Sequence, residues 1–537
     1  MIAETQPAAA DILIVGSGAA GIALALALEG CGRRVLLVEA GGTRPSPASQ
    51  AFYRADSVSP DTHIPTELFR RRGYGGTTPL WGGRCIPLDP VDFAARDWIP
   101  HSGWPIGYEE VRRYHAAALD LCHAGPESFD AATAFGPAPS PLVDQAPGPE
   151  IDINRVERFS LPTDFAASYG DRLQQARDVT VLLDHPVLRI TAADGRVTGV
   201  ETPAGAIAAP CVIIATGGIE TPRLLLASGL GGDLVGRYYQ THLHVQVGTM
   251  RCAPGARLDY QRSPEGVWCR RYIALDTATL ERERLFQINI RPTHPDIADP
   301  AHRNPILSAM YFAKGGLVAE YARILTGARN LGAERERRPF AFHLAHLRNM
   351  LLGGPMLVAF VARWLRLRTF ARRKLPSVFL RNATGRYAMD IHLEQVPNPD
   401  SRITLSGTRD ALGVPRVTVD WQTTDADRAM FRRGMALMRD ASRGSGVELE
   451  CDDAALDHAV LHPTPGHHIG TARMAHSPAD GVCDANGQVF GVAGLYVSGS
   501  ALFPTGGVAN PTLTIVALAL RLADHLRAGL GAARPAP

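Results

Sequence analysis

Two short apolar runs, Ile12 to Val15 and Val35 to Val38, open the hydrophobic pattern, separated by a glycine cluster and an Ala/Leu segment that ends at Leu28. Runs this short and unbroken predict strands, and the segment between them predicts the helix of a strand, turn, helix and strand unit. Tyr108, Val111, Tyr114 and His115 fall at helical spacing behind Trp104-Pro105, with Glu109 and Glu110 in the first turn. From Val179 to Ala215 the runs Val179 to Leu183, Val187 to Ile190, Val197 to Glu201 and Val212 to Ala215 are punctuated by Asp194-Gly195 and Ala204-Gly205. That spacing predicts a small meander that returns to the first sheet and opens, after Thr216, into Gly217-Gly218 and a leucine-rich helix. Between Val245 and Val419 many segments are strand-like. Met389 to Val396 largely alternates, which places His392 and Glu394 on one face of a sheet and Ile391 and Leu393 on the other. Ala134 to Glu150 holds five prolines and reads as a linker.

One stretch departs from both rhythms. Met350 to Ala362 is almost continuously apolar, broken by Gly353, Gly354 and Pro355, and then come Arg363, Arg366, Arg368, Arg372, Arg373 and Lys374 around Trp364, Leu365, Leu367 and Phe370. It falls short of the roughly 20 residues needed to span a bilayer. A lid over the active site is the expectation, with a subunit interface or peripheral membrane contact through 350–374 as the alternatives.

With 537 residues, 45% of them apolar and 20% charged, the chain has the composition of a globular protein of two large domains. A net charge of +2 and no basic motif with interleaved aromatics argue against nucleic acid. The eight cysteines include no C-x-x-C pair, which argues against zinc sites and a disulfide framework. Met1 to Ala10 has neither a positive n-region nor an apolar h-region, so the expected compartment is the cytoplasm.

The candidate chemistry starts at Gly16-Ser17-Gly18-Ala19-Ala20-Gly21. Gly16 allows the tight turn, Gly18 lets a pyrophosphate approach the backbone, and Gly21 lets helix and strand pack closely. Glu39, near the usual spacing of about 20 residues, is placed to accept hydrogen bonds from ribose hydroxyls. A second cluster, Gly73 to Gly83 around Thr77 and Trp81, suggests backbone passing close to a flat ligand. Towards the C-terminus, His467 and His468 lie in a glycine-flanked turn, and Asn510-Pro511 opens an apolar helix reaching about Leu526. The histidines offer a group that titrates near neutral pH, and the proline holds the Asn510 amide rigidly. Metal ligation by His462, His467 and His468 is the rival reading, but no further ligand stands at a familiar spacing.

Taken in order, the dinucleotide turn, Gly75-Gly76-Thr77 to Trp81-Gly82-Gly83, Gly217-Gly218-Ile219-Glu220-Thr221-Pro222, and the His467 and Asn510 segments resemble the glucose-methanol-choline family of flavin oxidoreductases from Asp11 to about Leu526. The resemblance implies an α/β fold: a Rossmann-like FAD-binding domain from 1–60, 160–240 and 460–537, interleaved with an α+β substrate domain on an antiparallel sheet from 61–159 and 241–459. It implies oxidation of an alcohol to a carbonyl by hydride transfer to flavin N5, with His467 as base and Asn510 as its partner. Cofactor contacts are expected from Gly16, Gly18, Gly21, Glu39, Gly75, Gly76, Thr77, Trp81, Gly82, Val187, Gly217, Ser500, Asn510, Pro511 and Thr512. Substrate contacts are expected from His392, Glu394, Gln395 and His468, and no metal is expected. Leu80 stands where some relatives attach the flavin through a histidine, so FAD is expected to be non-covalent. The His467-His468-x-Gly-Thr and Asn510-Pro-Thr-Leu-Thr patterns are similar to bacterial sugar-oxidising members, which favours a secondary hydroxyl of a sugar, glycoside or polyol, with oxygen or another acceptor reoxidising the flavin. A hydrophobic sterol, terpenoid or long-chain alcohol is one alternative; a non-redox lyase-type or inactive flavin-binding relative is another.

Overall fold

The computed structural model describes residues 3, 5–57, 63–136, 139–161, 163–317 and 339–532. Its first layer is a parallel five-stranded sheet in the order Leu495–Val497, Val212–Ile214, Ile12–Val15, Val35–Val38, Val179–Leu182. The two N-terminal runs are buried along their whole length, as strands covered on both faces must be. Helix Ala19–Leu28 crosses between them and packs against the C-terminal helix Thr512–Ala532. The meander is shorter than its sequence suggested. Val179–Leu182 is the edge of the parallel sheet, and only Arg189–Ala193, Arg196–Thr202 and Gly205–Ala208 form the antiparallel excursion before the chain re-enters at Val212.

The second layer is a larger, antiparallel sheet. Arg386–Leu393 lies at its centre, flanked on one side by Ile288–Thr293 and on the other by Thr249–Cys252 and Leu243–Val245. Met389, Ile391 and Leu393 point to one face, where they meet Phe431, Met435 and Met438 of helix Asp425–Ala441. That helix begins at a capping box in which Thr424 and Asp427 satisfy each other's backbone N–H groups. His392 and Asp390 point to the opposite face. The chain passes between the two layers repeatedly, so neither is built from one continuous stretch. His462–Pro463 pairs with Leu243–His244 in the antiparallel layer, just before the chain returns to the parallel one.

Between Ile288–Thr293 and Arg386–Leu393 lie the helices Pro305–Leu317, Phe340–Leu352 and Gly354–Trp364. Among the described residues no single helix is long and apolar enough to cross a membrane, though Phe340–Leu352 and Gly354–Thr369 together have the length and composition, bent by 80°. All eight cysteines are free thiols.

Candidate active site

The glycine turns converge on a cavity of about 680 Å³ between the layers. Gly16 has φ near 101°, and a methyl group there would stand 2.7 Å from the Ala215 carbonyl oxygen, so the turn closes only because the residue is glycine. At Gly18, Gly82 and Gly217 a methyl group would meet nothing within 4 Å, because these residues face the open cavity. Room where side chains are missing, beside a helix N-terminus, suits a pyrophosphate. Glu39 lines the same wall; its carboxylate accepts from Ser17 N at 3.0 Å, Ser17 Oγ at 2.8 Å and Gly41 N at 3.0 Å. Burial pushes its pKa up, against the pull of those donors. Gly76, Thr77, Trp81, Val187, Ser500, Asn510, Pro511 and Thr512 also line the cavity, so the residues present fit an adenine dinucleotide carrying a flavin.

Two of the expected cofactor residues stand behind this wall. A methyl group at Gly21 would lie 1.9 Å from the Gly16 carbonyl oxygen, so Gly21 shapes the turn from below. The Gly75 amide donates to Ser17 Oγ at 3.2 Å, which ties the second glycine cluster to the first.

His467 and Asn510 meet in the cavity: Asn510 Nδ2 lies 3.1 Å from His467 Nε2. Asn510 is fixed at the mouth of helix Thr512–Ala532 by Pro511, whose carbonyl accepts from Ile515 N at 2.9 Å. His467 is fixed from the other side, where residues 240–244 run antiparallel to 462–469 through Gln240 opposite Ile469 and Leu243 opposite Pro463. That pairing brings His242 Nδ1 to 2.7 Å from His467 Nδ1. Burial, with smaller contributions from His242, His392, Arg84 and His468, holds the His467 pKa well below the usual histidine range. The imidazole is therefore neutral at neutral pH, the form a general base requires.

His468 lines the same cavity but has different company. Its Nδ1 lies 2.7 Å from Tyr239 Oη, which in turn lies 2.9 Å from His63 Nε2. Its backbone packs on the Gly217-Gly218 turn, where a methyl group at Gly218 would come within 2.3 Å of the His468 carbonyl oxygen.

Of the remaining expected substrate residues, His392 lines the cavity and the other two do not. Glu394 is completely buried, clasped by both Arg96 terminal nitrogens and approached by Gln287 N at 3.4 Å. Gln395 accepts from Thr241 N at 2.9 Å and Trp421 Nε1 at 3.1 Å and donates to the Gln422 carbonyl at 2.8 Å. The strand ends at Leu393, so the alternation that put Glu394 beside His392 lapses there and both side chains turn into structural bonds. What the sequence reading missed is Asp390, which accepts from His244 at 2.7 Å and His392 at 3.3 Å. These three place their ligand atoms within 4.8 Å of one another. Of the three only His392 lines the cavity, together with Tyr260 and Arg84, which is ion-paired to Glu157 at 3.1 Å. Two histidines spaced i, i+2 from acidic or histidine neighbours on paired strands were the available signal.

Residues 11–272 match the FAD dependent oxidoreductase family model, and residues 397–519 match GMC oxidoreductase. The 2-methyl-1,2-propanediol dehydrogenase of Mycolicibacterium austroafricanum is 24% identical over 96% of this chain and 95% of its own length. A C-glycoside 3-oxidase of Microbacterium trichothecenolyticum is 34% identical over 22% of each chain. Among solved structures, a fungal aryl-alcohol oxidase superposes with a TM-score of 0.54 at 15% identity, covering 98% of this chain and 100% of that one. Pyridoxine 4-oxidase from Mesorbium loti gives 0.51 at 18% identity, covering 96% and 98%. Fold and cradle thus define an FAD-dependent alcohol oxidoreductase. The chain joins an FAD dependent oxidoreductase domain to a GMC oxidoreductase C-terminal domain and is similar along its length to alcohol oxidoreductases of the glucose-methanol-choline (GMC) kind.

Proposed function

We propose that this enzyme oxidises a secondary hydroxyl of a sugar, glycoside or polyol to a carbonyl, with His467 as the general base and Asn510 as the group that orients the reacting oxygen. The observation that carries this reading is the contact between Asn510 Nδ2 and a neutral His467 Nε2 on the wall of the cofactor cavity. FAD, when bound, supplies the two-electron acceptor for the carbinol hydrogen. The protein does the rest. A substrate hydroxyl displaces the direct contact between the two side chains, donates to Nε2, accepts from the Asn510 amide, and leaves its proton on His467. His392 and Arg84 supply polar contacts of the kind a second hydroxyl needs, which favours a polyhydroxylated substrate over a sterol or a long-chain alcohol. Two relatives that match over 96% of this chain and 95% of their own length carry a small polar alcohol in their names, 2-methyl-1,2-propanediol and choline; both offer a primary hydroxyl, so they favour a small polar substrate without favouring a secondary position.

Anaerobic bleaching of the flavin across sugars, glycosides, 1,2-diols and lipophilic alcohols tests the substrate class. Faster bleaching by a sterol or a long-chain alcohol than by every polyol would overturn it. His467→Ala keeps FAD yet slows bleaching by at least about 10²-fold, the lower end for a general base, and His468→Ala is milder; the reverse order would move the role to His468. We propose further that FAD is held without a covalent bond, since Leu80 occupies the wall beside Trp81. Acid precipitation then leaves the yellow colour in the supernatant.

A second reading concerns the helices at 340–370. Of residues 340–378 only Pro376 and Ser377 line the cavity, so the helices themselves are no lid over it. Instead Phe340, Leu351 and Phe370 are 78%, 82% and 79% exposed. From Pro339 to Met389 there is no acidic residue, while Arg348, Arg363, Arg366, Arg372 and Lys374 are exposed; Arg368 and Arg373 donate to backbone carbonyls. Apolar side chains beside these cations suit an anionic lipid surface, with Arg363 the cation that already has an acidic neighbour, Asp259 at 3.9 Å, and this face is proposed as a peripheral membrane contact. Co-sedimentation with phosphatidylserine vesicles is expected at low salt and falls as salt shortens the Debye length from about 10 Å at 0.1 M to about 3 Å at 1 M. Absence of binding at low salt would refute it.

A further inference from the structure

His467 can act as a base at Nε2 only if its ring proton sits on Nδ1, and the hydrogen-bond chain behind it decides that question. His242 Nε2 lies 3.1 Å from the Gly506 carbonyl oxygen. A carbonyl only accepts, so His242 carries its proton on Nε2 and offers a bare Nδ1. The atom 2.7 Å from that bare nitrogen is His467 Nδ1, which must therefore be the donor. A neutral His467 with its proton on Nδ1 has a lone pair at Nε2, and there it faces Asn510 Nδ2, a donor. Every bond in the chain from Gly506 through His242 and His467 to Asn510 has one consistent direction.

We infer that His242 is the positioning residue of the active site, holding His467 in the tautomer whose bare Nε2 faces the substrate. This rests on the reading of His467 as the base. His242 touches the reacting atoms only through His467, and it is fully buried behind it. Burial, above all, takes its own pKa down to about 4, so it stays an acceptor at neutral pH. The charged or titratable groups that face the pair are His392, Arg84 and His468 around His467, and His392 and Arg291 around His242. The neighbouring chain behind His468 has the same polarity: the Ile64 carbonyl takes the His63 Nδ1 proton at 2.7 Å, leaving His63 Nε2 to accept from Tyr239. It ends away from Asn510, so a lone pair alone does not make the base.

Three variants separate this role from mere packing. His242→Asn puts a carbonyl oxygen near the position of Nδ1 and keeps an acceptor; His242→Leu removes it; His242→Asp replaces it with an anion. The FAD-loaded proteins are labelled with ¹⁵N-histidine, and the His467 signals are identified by their loss in His467→Gln. The expected result is a protonated Nδ1 and a bare Nε2 in the parent and in His242→Asn, and a mixture of tautomers in His242→Leu. In His242→Asp the carboxylate stabilises the imidazolium, so His467 titrates at higher pH than in the parent. Bleaching by 1,2-propanediol or methyl β-D-glucoside follows: within about threefold of the parent for Asn, at least about tenfold slower for Leu, and with its acid limb moved to higher pH for Asp. A single unchanged tautomer in His242→Leu, or no upward titration shift in His242→Asp, overturns the inference. Should His242→Leu fail to hold FAD, the Asn and Asp variants decide it. Tautomers that change as expected while bleaching stays constant would instead refute His467 as the base.

Discussion

Two apolar helices of nearly equal length have opposite fates in this molecule. Ala19–Leu28 is buried at eight of its ten positions, between the parallel sheet and helix Thr512–Ala532. Gly354–Trp364 buries none of its eleven residues, and its neighbour Phe340–Leu352 buries only His346. By sequence both are rich in apolar side chains, and neither has an acidic residue in its first turn. The difference is in what flanks them. Ala19–Leu28 sits between two strands that need a cover and a glycine turn that needs an anchor, whereas Gly354–Trp364 belongs to a long excursion between two adjacent inner strands of the antiparallel layer. Apolar composition sets how much surface must leave water, and only the neighbours set where it goes.

The sharpest way to break this comparison is at Gly21. A methyl group there collides with the Gly16 carbonyl at 1.9 Å, so Gly21→Ala pushes the turn itself out of shape. The purified variant is expected to be largely colourless, and full flavin occupancy would show that the turn tolerates the shift. Next comes Leu24→Ala. Leu24 is wholly buried, so the change is expected to cost about 2–5 kcal/mol of unfolding free energy and lower the melting temperature measurably. Smaller again are Arg366→Gln at the end of the exposed helices and Arg372→Gln and Lys374→Gln in the segment that follows. Each is expected to weaken anionic vesicle binding by about 1 kcal/mol near the surface and to leave bleaching by a soluble polyol unchanged; equal binding by the triple variant would remove the cations from the account.

Much of the fold was legible because its signals are local. Ile12 to Val15 and Val35 to Val38 are the observed strands to the residue, since a four-residue apolar run bounded by charged residues or glycine has little choice but to be a short buried element. The run at Val212 was legible as a return to this sheet, but the strand order, with Leu495–Val497 at the outer edge, is set by long-range pairing. The candidate site was legible where a residue type carries its own constraint. Glycines at forced turns and Asn510 before Pro511 are of that kind. It was illegible where the partner is distant. His242 lies 225 residues from His467 and Asp390 lies 146 from His244, and nothing in either local pattern says they meet. Glu394 failed for a third reason: strict alternation ends with the strand at Leu393, whereas the predicted run continued to Val396.

The smallest expected effect is also the one that isolates the exposed helices. Leu351 and Val358 are 82% and 70% exposed, so replacing them removes little surface that folding had taken from water. Leu351→Ser with Val358→Ser is therefore expected to change unfolding free energy by no more than about 0.5 kcal/mol for each substitution, as at other exposed positions. The same two side chains have most to bury against a lipid surface, so partition into anionic vesicles is expected to fall even at low salt, where the cations are unscreened. The contrast with Leu24→Ala is then direct: one apolar residue matters to the fold and not to the vesicle, and the other pair to the vesicle and not to the fold. A large loss of stability from the double substitution would mean that these side chains are covered in the free protein. Unchanged partition with unchanged stability would leave the apolar face without a role at the membrane and return the binding, if any, to the cations alone.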